Sequence, residues 1–288
     1  IYVVPVDRLP GDRESVGENE IVADEEQWER RIWGLHYRHK DLLPQRAPDL
    51  WGEVFVYGLN EDDTSKAQTP NRNYIGPGAR LYRKPKVGRW DIDVEGVWRF
   101  GERRATSSQG DVTDLDVNAG MVFAALGRTF DAPWQPRLAL EWYYASGDQN
   151  PRDDQYDQYE RLFGSRRTDL NNTSLHGPLT PANLNAPGFR IEVKPDEMSD
   201  ARLYYHAAYL ASETDAWVIA KLRDQTGQSG QFIGHTIDAR WRRWLKKDRL
   251  RLDLGASALL YGDFPENVKN GPKGDGTLFG YGQLIWTF

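Results

Sequence analysis

Apolar and polar residues alternate along the C-terminal part of the chain. In RLRLDLGASALLY at 249–261, every second residue from Leu250 to Leu260 is apolar, and Leu259 is the one large apolar exception on the other face. Successive side chains of a strand point to opposite faces. The stretch therefore predicts a strand with one apolar and one polar side, and TLFGYGQLIWTF at 277–288 repeats the pattern.

The same period of two recurs along most of the chain and predicts about twelve strands with no long helix. The most regular stretch is WDIDVEGVWRF, in which Trp90, Ile92 and Val94 alternate with Asp91 and Asp93. The predicted strands cover 1–10, 30–38, 50–59, 74–83, 90–100, 116–130, 137–146, 189–195, 201–212, 232–245, 249–261 and 277–288.

Three segments show no period of two. The chain between the first predicted strand and about Asp24 is acidic and loop-like, and 147–187 is rich in Asp, Asn, Arg and Gly. The segment AWVIAKLRDQTGQSG at 216–230 fits a helix, a strand extension or an ordered loop. A loop as long as 147–187 is unusual inside a compact soluble domain, whereas membrane barrels place long loops on their extracellular side.

Short and long connections alternate between the predicted strands. Short turns lie near Leu43, Lys86, Pro133, Glu197 and Lys247. Mostly longer loops lie near Glu18, Asp63, Ser107, Arg166, Gly227 and Asn267. An outer-membrane barrel has short periplasmic turns and longer extracellular loops. The sequence therefore predicts an all-β, antiparallel transmembrane β-barrel over 1–288, and the rival fold is a soluble carbohydrate-binding β-sandwich.

Composition excludes a helical membrane protein but does not separate the two β folds. Charged residues make up 28% of the chain, as in a very soluble protein. A membrane barrel can have an equally high content of charged residues, because only alternate strand residues meet lipid. No apolar run approaches the roughly 20 residues that a membrane helix needs. The net charge of -6 argues against general nucleic-acid binding.

Several stretches are similar to the alginate export family of Gram-negative outer-membrane proteins. They are GQFIGHTIDARWRRWL at 230–245, RLRLDLGASALLYGDFP at 249–265 and YGQLIWTF at 281–288, with a fainter similarity in IYVVPVDRL at 1–9. The aromatic-rich end at Phe288 also resembles the last strand of outer-membrane barrels, which carries their assembly signal. The resemblance spans the chain.

The resemblance implies a monomeric barrel in the outer membrane that passes an anionic polysaccharide through a positively charged lumen. It implies no catalytic step, no cofactor and no metal. Family members have about eighteen strands, so the twelve predicted strands would belong to a barrel of about 16–18, with further strands and a signal peptide before Ile1. The implied partners are outer-membrane lipid, the polysaccharide or small anions, and periplasmic export components.

The polar faces of the predicted strands would line the lumen, with a slight excess of positive charge that is mostly arginine. A guanidinium group can form two hydrogen bonds to one carboxylate. Successive arginines would therefore bind the carboxylates of a uronate polymer weakly and in turn, which favours its passage along the wall. The predicted substrate-binding residues are Arg240, Arg242, Arg249, Arg251, Arg202, Arg190, Arg137 and Arg99. The first four would form a cluster at the periplasmic mouth.

These arginines also have a purely structural interpretation. Polar barrel walls need ion pairs between neighbouring strands, and Asp238 with Arg240, or Asp253 with Arg251, would be such pairs. The transported anion is open as well. Alginate, another uronate polymer, its oligomers, or small anions in a general anion-preferring porin all fit the pattern.

Tryptophans are frequent near the ends of the predicted strands. The six candidates are Trp33, Trp98, Trp142, Trp241, Trp244 and Trp286. They would serve as stacking platforms for sugars or as an interfacial girdle. Most of them fall on the apolar face, which favours the girdle.

The remaining candidate chemistries are weaker. An acidic run at Asp148, Asp153, Asp154 and Asp157 has oxygen ligands for Ca²⁺ but lacks the register of an EF-hand, which favours a solvated loop. The histidines show no metal-binding spacing and would lie at a wall or an interface. An outer-membrane hydrolase, the enzymatic alternative, would need a loop serine beside a histidine such as His206.

Overall fold

The structure, a computed structural model, describes residues 1–4, 6–7, 25–64, 68–162, 170 and 176–288. Within these described residues there are fifteen strands and one short helix, α1 (Asp263–Asn267). In chain order the strands are β1 (Tyr2–Val3), β2 (Val6–Asp7), β3 (Glu25–Glu26), β4 (Arg30–His39), β5 (Leu50–Glu61), β6 (Asn73–Arg83), β7 (Trp90–Arg104), β8 (Asp114–Thr129), β9 (Arg137–Ala145), β10 (Gln155–Tyr156), β11 (Leu184–Asp196), β12 (Ser199–Tyr209), β13 (Phe232–Lys246), β14 (Leu250–Tyr261) and β15 (Gly276–Trp286).

Twelve of these strands form one antiparallel meander in which each pairs with the next along the chain. The order is β1, β4 to β9, then β11 to β15, and β10 adds a short parallel pairing to β8. The prediction of about twelve antiparallel strands is confirmed. Among the described residues, the end strands β1 and β15 do not pair with each other, so the closed barrel of 16–18 strands stays a prediction.

The two faces of the meander reverse the arrangement of an ordinary soluble sheet. Large apolar side chains such as Leu140 (70% exposed), Leu278 (82%) and Leu284 (62%) stand on one face. Charged side chains such as Glu141 and Asp238 are buried on the other. A single cavity is lined by residues from β6 through β13, so the polar face is concave. We call this concave side the lumenal face.

The outward apolar face has tryptophans near the strand ends that meet the longer loops. Trp33, Trp98 and Trp142 each donate an indole hydrogen bond of 2.8–3.0 Å to an asparagine on the neighbouring strand. Trp90 lies eight residues before Trp98 on the same face of β7, near the turn end. That spacing is about 26 Å along a strand and about 20 Å across a sheet tilted by about 40°. The two levels fit the borders of a lipid bilayer's apolar band.

The last tryptophan of β13 is on the opposite side from the others. Trp244 pairs across the sheet with Arg251 on the lumenal face, and the guanidinium lies 5.3 Å from its ring centroid. Trp241 and Trp286 are on the apolar face. The expectation that most of the six tryptophans face outward is therefore confirmed, with Trp244 as the exception. Among the described residues, no helix has the length and apolarity needed to cross a membrane.

Connection lengths and strand limits agree with the sequence pattern at most points. The turns at 84–89, 130–136, 197–198 and 247–249 are short, and the loops at the other end are mostly longer. The ambiguous segment 216–230 belongs to an ordered loop with one isolated bridge, Trp217 to Leu222. The acidic loop predicted before Asp24 lies outside the described residues.

The predicted start of β11 was wrong. The strand begins at Leu184, five residues before the predicted start at Phe189. Leu184 and Ala186 are buried on the lumenal face, while Pro187 is exposed on the outer face. The sequence did not show the inward and outward alternation of these residues, because Gly188, which has no side chain, interrupts it.

The longer loops pack together over one end of the lumenal face. We call 146–162, 176–183, 210–231 and α1 the cap. Trp217 of the cap and Phe264 of α1 are buried in one cluster with Leu259 of β14. This packing explains why Leu259 breaks the alternation of its strand, since it points inward and is covered by the cap.

Candidate functional site

A basic cavity of about 660 Å³ opens on the lumenal face at the end that has the short turns. Its lining includes seven cationic side chains and two carboxylates, which together give it a strong positive bias. The cations are Lys84, Lys86, Arg137, Lys194, Arg202, Arg240 and Arg242, and the carboxylates are Glu192 and Asp200. Five of the cations and both carboxylates come from strands, and the two remaining lysines come from the turn at 84–89. We call this the basic cavity.

Asp200 is the carboxylate shared by the two arginines of β13. Arg242 lies directly opposite it in the sheet and donates from Nε and Nη2 at 3.0–3.1 Å. Arg240 places Nη2 3.5 Å from the same carboxylate. One carboxylate is thus shared by two guanidinium groups, and a second carboxylate, Asp253, lies directly opposite Arg242 on β14.

Arg240 has no acidic neighbour directly across either strand pairing. On one side it is opposite Arg202, and on the other it is opposite Gly255, which has no side chain. Like charges placed opposite one another destabilise a sheet unless something compensates them. Asp200 supplies part of that compensation to Arg240, and an anion bound in the cavity would supply more.

Arg137 and Arg190 are held more firmly by carboxylates. Arg137 makes two hydrogen bonds to Asp91, of 2.6 and 3.0 Å, and a third of 2.7 Å to Glu192. Arg190 lies 2.7 Å from Glu141. Both are mostly shielded from solvent. These contacts give the two residues a structural role in the wall, and substrate contact at either stays a prediction.

Arg202, Arg99, Arg249 and Arg251 occupy four different surroundings. Arg202 lines the basic cavity and donates a hydrogen bond of 3.0 Å to Tyr204. Arg99 is buried at the cap end, where it bonds the carbonyl of Glu160. Arg251 lies over Trp244 on the lumenal face, and Arg249 is exposed in the turn before β14.

The predicted cluster of four arginines is therefore arranged differently from the sequence interpretation. The structure groups Arg202, with Arg240 and Arg242, around the basic cavity. Arg249 and Arg251 do not line that cavity. The substrate-binding role of all eight predicted arginines stays a prediction.

The carboxylates of the two proposed ladder pairs both accept hydrogen bonds from a neighbouring strand. Asp238 accepts a hydrogen bond from Ser257, and Asp253 accepts one of 3.2 Å from Tyr281. Asp200, which does pair with the arginines, was assigned to a turn by the sequence interpretation. The sequence interpretation also did not include Lys84 and Lys86 among the binding residues. The alternation of short and long connections nevertheless places their turn at the same end of the sheet as Lys247.

A second cavity, of about 510 Å³, lies on the lumenal face closer to the cap. We call it the aromatic cavity. Its wall on β5 contains Phe55 and Tyr57, and Tyr74 and Tyr159 complete an aromatic lining. The polar groups that reach it are His36, Glu53, Arg80, Glu95, Arg99 and Arg161. It differs from the basic cavity in its aromatic lining, and the Arg99 guanidinium lies 4.5 Å from the centroid of the Tyr159 ring and 5.2 Å from that of Tyr74.

The histidines and acidic run have identifiable neighbours. His206 is fully buried in the wall, where Nε2 lies 3.8 Å from Glu141 and the ring meets Tyr143 edge-on. Asp153 accepts a hydrogen bond from the Gln155 amide within the loop. In the part of the chain that the structure describes, no three His, Cys, Asp or Glu side chains are placed to hold a metal ion.

A buried polar network fixes the cap. The Asp148 amide donates to Asp215 at 2.8 Å, and Gln158 donates to the same carboxylate at 2.6 Å. Arg223 lies 3.4 Å from Asp215 and 3.7 Å from Asp148. Ser212 donates to the carbonyl of Asp148 at 2.9 Å. The network joins the loop after β9 to the loop after β12.

Acidification from neutral pH is expected to tighten this network. Burial, and then the neighbouring carboxylate of Asp215, raise the pKa of Asp148 above its ordinary value. The ionised form is therefore disfavoured in the folded cap at neutral pH, and that penalty disappears as the pH falls through the raised pKa. Amide hydrogen exchange in 146–162, corrected for intrinsic rates, should slow as the pH falls from neutral through this raised pKa.

Asp148→Asn is the matched variant for this effect. It should remove most of the pH dependence of exchange, because the group whose pKa is raised is gone. Burial also raises the pKa of Asp157, which acts in the same direction. Faster corrected exchange at the lower pH in the wild-type chain would contradict the assignment.

Comparison with known proteins gives one finding that bears on the whole chain. A family model described as alginate export matches residues 23–273. No curated protein matches the chain. The matched span contains both cavities and the cap.

Proposed function

The chain belongs to the alginate export family, an outer-membrane transport family, and from that premise we propose that it passes an anionic polysaccharide of uronate type along its lumenal face. The polymer would meet the basic cavity at the end of the short turns. Its carboxylates would bind Arg240 and Arg242 in succession, assisted by Arg202 and by the lysines of the turn at 84–89. No chemical step is involved.

The single observation that carries this proposal is the positive bias of the basic cavity, in which two guanidinium groups share Asp200. Sharing of a carboxylate also occurs elsewhere in the wall, since Arg30 and Arg72 both pair with Glu61, but Arg72 has a second carboxylate partner in Glu160. The basic cavity instead keeps more cations than carboxylates. Weak binding at several cationic sites favours passage over retention.

The test is ion selectivity and block of the full-length protein in planar bilayers. The double variant Arg240→Ala and Arg242→Ala should lose most of the anion preference seen in the reversal potential. It should also weaken block by a mannuronate hexamer by at least about tenfold, since each hydrogen bond to a charged group contributes about 1.5–3 kcal/mol. The matched control is Arg243→Ala, because Arg243 is on the same strand but faces outward and pairs with Asp196.

Small anions and a polymer give different results in this experiment. A conduit for a uronate polymer is blocked by the hexamer in the wild-type protein and is not blocked by free glucuronate at equal carboxylate concentration. Equal block by both would indicate a general anion-preferring porin. Unchanged selectivity and block in the double variant would remove the basic cavity from the path.

A further inference from the structure

We propose that the aromatic cavity is a second carbohydrate subsite, one that binds the faces of pyranose rings by stacking and does not require their carboxylates. The proposal rests on the proposed function, since it assigns a second contact to the same passing polymer. It differs in the chemistry it recognises. The basic cavity would bind the carboxylates of the polymer, and the aromatic cavity would bind the faces of its sugar rings.

Two aromatic rings of β5 lean across glycines of the neighbouring strands. Phe55 is opposite Gly78 of β6, and a Cβ placed on that glycine would lie 2.3 Å from the Phe55 ring. Tyr57 is opposite Gly34 of β4, and a Cβ there would again lie 2.3 Å from the ring. The glycines thus leave room for the rings to lie along the wall instead of pointing into the lumen.

Rings laid along a wall offer a broad surface to whatever passes. The centroids of Phe55 and Tyr57 are 5.4 Å apart, so the two rings form a continuous strip. The ring of His36 extends it, 5.7 Å from Phe55, and Nδ1 of this histidine is 3.1 Å from the Tyr57 hydroxyl. All three side chains line the cavity.

The chemistry of this strip suits the apolar face of a pyranose. Axial C–H groups on one side of a sugar ring carry partial positive charge, and the face of an aromatic ring carries partial negative charge. Carboxylates at the rim accept hydrogen bonds from sugar hydroxyls. Glu53 and Glu95 occupy such positions, and neither would attract a uronate carboxylate.

The two cavities are adjacent along one strand. Arg80 of β6 lines the aromatic cavity, and Tyr82, the next lumenal residue of the same strand, lines the basic cavity. Lumenal neighbours on a strand are about 7 Å apart. A single oligosaccharide chain can therefore engage both cavities, with charge at the turn end and stacking nearer the cap. Arg80 itself is held by Asp93 through two hydrogen bonds of 2.7 Å.

The experiment is saturation-transfer difference NMR on the full-length protein in detergent, with irradiation of its aromatic protons. The probes are β-1,4-linked mannohexaose, which is neutral, and the mannuronate hexamer of the same linkage. Both should bind, with the strongest transfer to ring protons on one face of the sugar. Phe55→Leu with Tyr57→Leu should weaken the binding of both probes about three- to tenfold.

A second variant keeps both aromatic residues and moves one of them. Gly78→Ala places a methyl group 2.3 Å from the Phe55 ring and 2.8 Å from the Gly96 carbonyl oxygen, so in protein that still migrates as a folded barrel it should weaken mannohexaose binding without removing any aromatic side chain. The matched control is Gly96→Ala on the next strand, where a Cβ would meet nothing nearer than 3.8 Å. Arg240→Ala with Arg242→Ala should weaken mannuronate binding and leave mannohexaose binding unchanged.

The outcomes separate this inference from the proposed function. Binding of the mannuronate hexamer but not of mannohexaose would overturn the stacking subsite and leave the charged path intact. Full affinity in the Phe55 and Tyr57 double variant would also overturn it. Binding of neither probe would contradict the proposed function and the stacking subsite together.

Discussion

Replacing Arg137 with Ala is expected to lower the free energy of unfolding by about 3–5 kcal/mol, the cost of leaving a buried charge without its partner. Arg137 is 7% exposed, and Asp91, which receives two of its hydrogen bonds, is 3% exposed. Glu192 would lose a hydrogen bond of 2.7 Å as well. Equilibrium unfolding in guanidinium, with the protein folded in lipid vesicles, measures the loss.

Arg243→Ala is the comparison for this prediction. Its carboxylate partner is Asp196, and both side chains are nearly half exposed. An exposed ion pair contributes about 0.2–1 kcal/mol, so this variant should be close to the wild-type protein. Similar losses of unfolding free energy in the two variants would show that the buried ion pairs of Arg137 stabilise the fold no more than an exposed pair does.

Leu140→Arg is expected to cost about 1–3 kcal/mol in a lipid bilayer, between the cost of a cation at the midplane of a barrel's lipid face and the smaller cost near the interface. Leu140 is 70% exposed on β9, two residues from Trp142 on the same outward face. In a soluble sheet, a substitution at so exposed a position would change stability by less than about 0.5 kcal/mol. The same unfolding measurement in vesicles separates the two cases.

Val112→Arg supplies the matched control for Leu140→Arg. Val112 is 89% exposed, but it lies in the loop between β7 and β8. The same chemical change should therefore have almost no effect there. A cost at Leu140 no larger than the cost at Val112 would contradict a lipid-facing outer surface.

Much of the fold could be predicted from the sequence because the alternation reports a physical boundary. A strand between lipid and a polar lumen needs an apolar residue at every second position, and β7 and β14 satisfy this almost throughout. The alternation fails where the cap covers the lumenal face, because apolar residues are then buried on that face as well. Leu259 and the start of β11 are two such places, and both lie beneath the cap.

The candidate site was less predictable because it depends on which residues lie opposite one another. Arginine on the lumenal side of β13 was evident from the sequence, yet its partner Asp200 is set by the register between β12 and β13. The nearest acid in sequence, Asp238, lies on the same strand and accepts a hydrogen bond from Ser257 of β14. Charge pairing in a sheet follows register, which a single sequence does not show.

The aromatic cavity illustrates a different limit. Phe55 and Tyr57 alternate with apolar residues in the sequence, so their lumenal direction is readable. The glycines that let the rings lie along the wall are on other strands. Only the pairing of β4, β5 and β6 brings ring and glycine together.

Heat-modifiable migration in a detergent gel, measured on protein recovered from the outer-membrane fraction, tests most directly whether this chain works as a membrane barrel. Strands that pair into a barrel resist detergent until they are boiled, so unheated protein should migrate differently from boiled protein. Localisation in the outer membrane with such a shift is the expected result. Recovery in the soluble fraction, with the same migration before and after boiling, would contradict both a lipid-facing outer surface and the polysaccharide conduit.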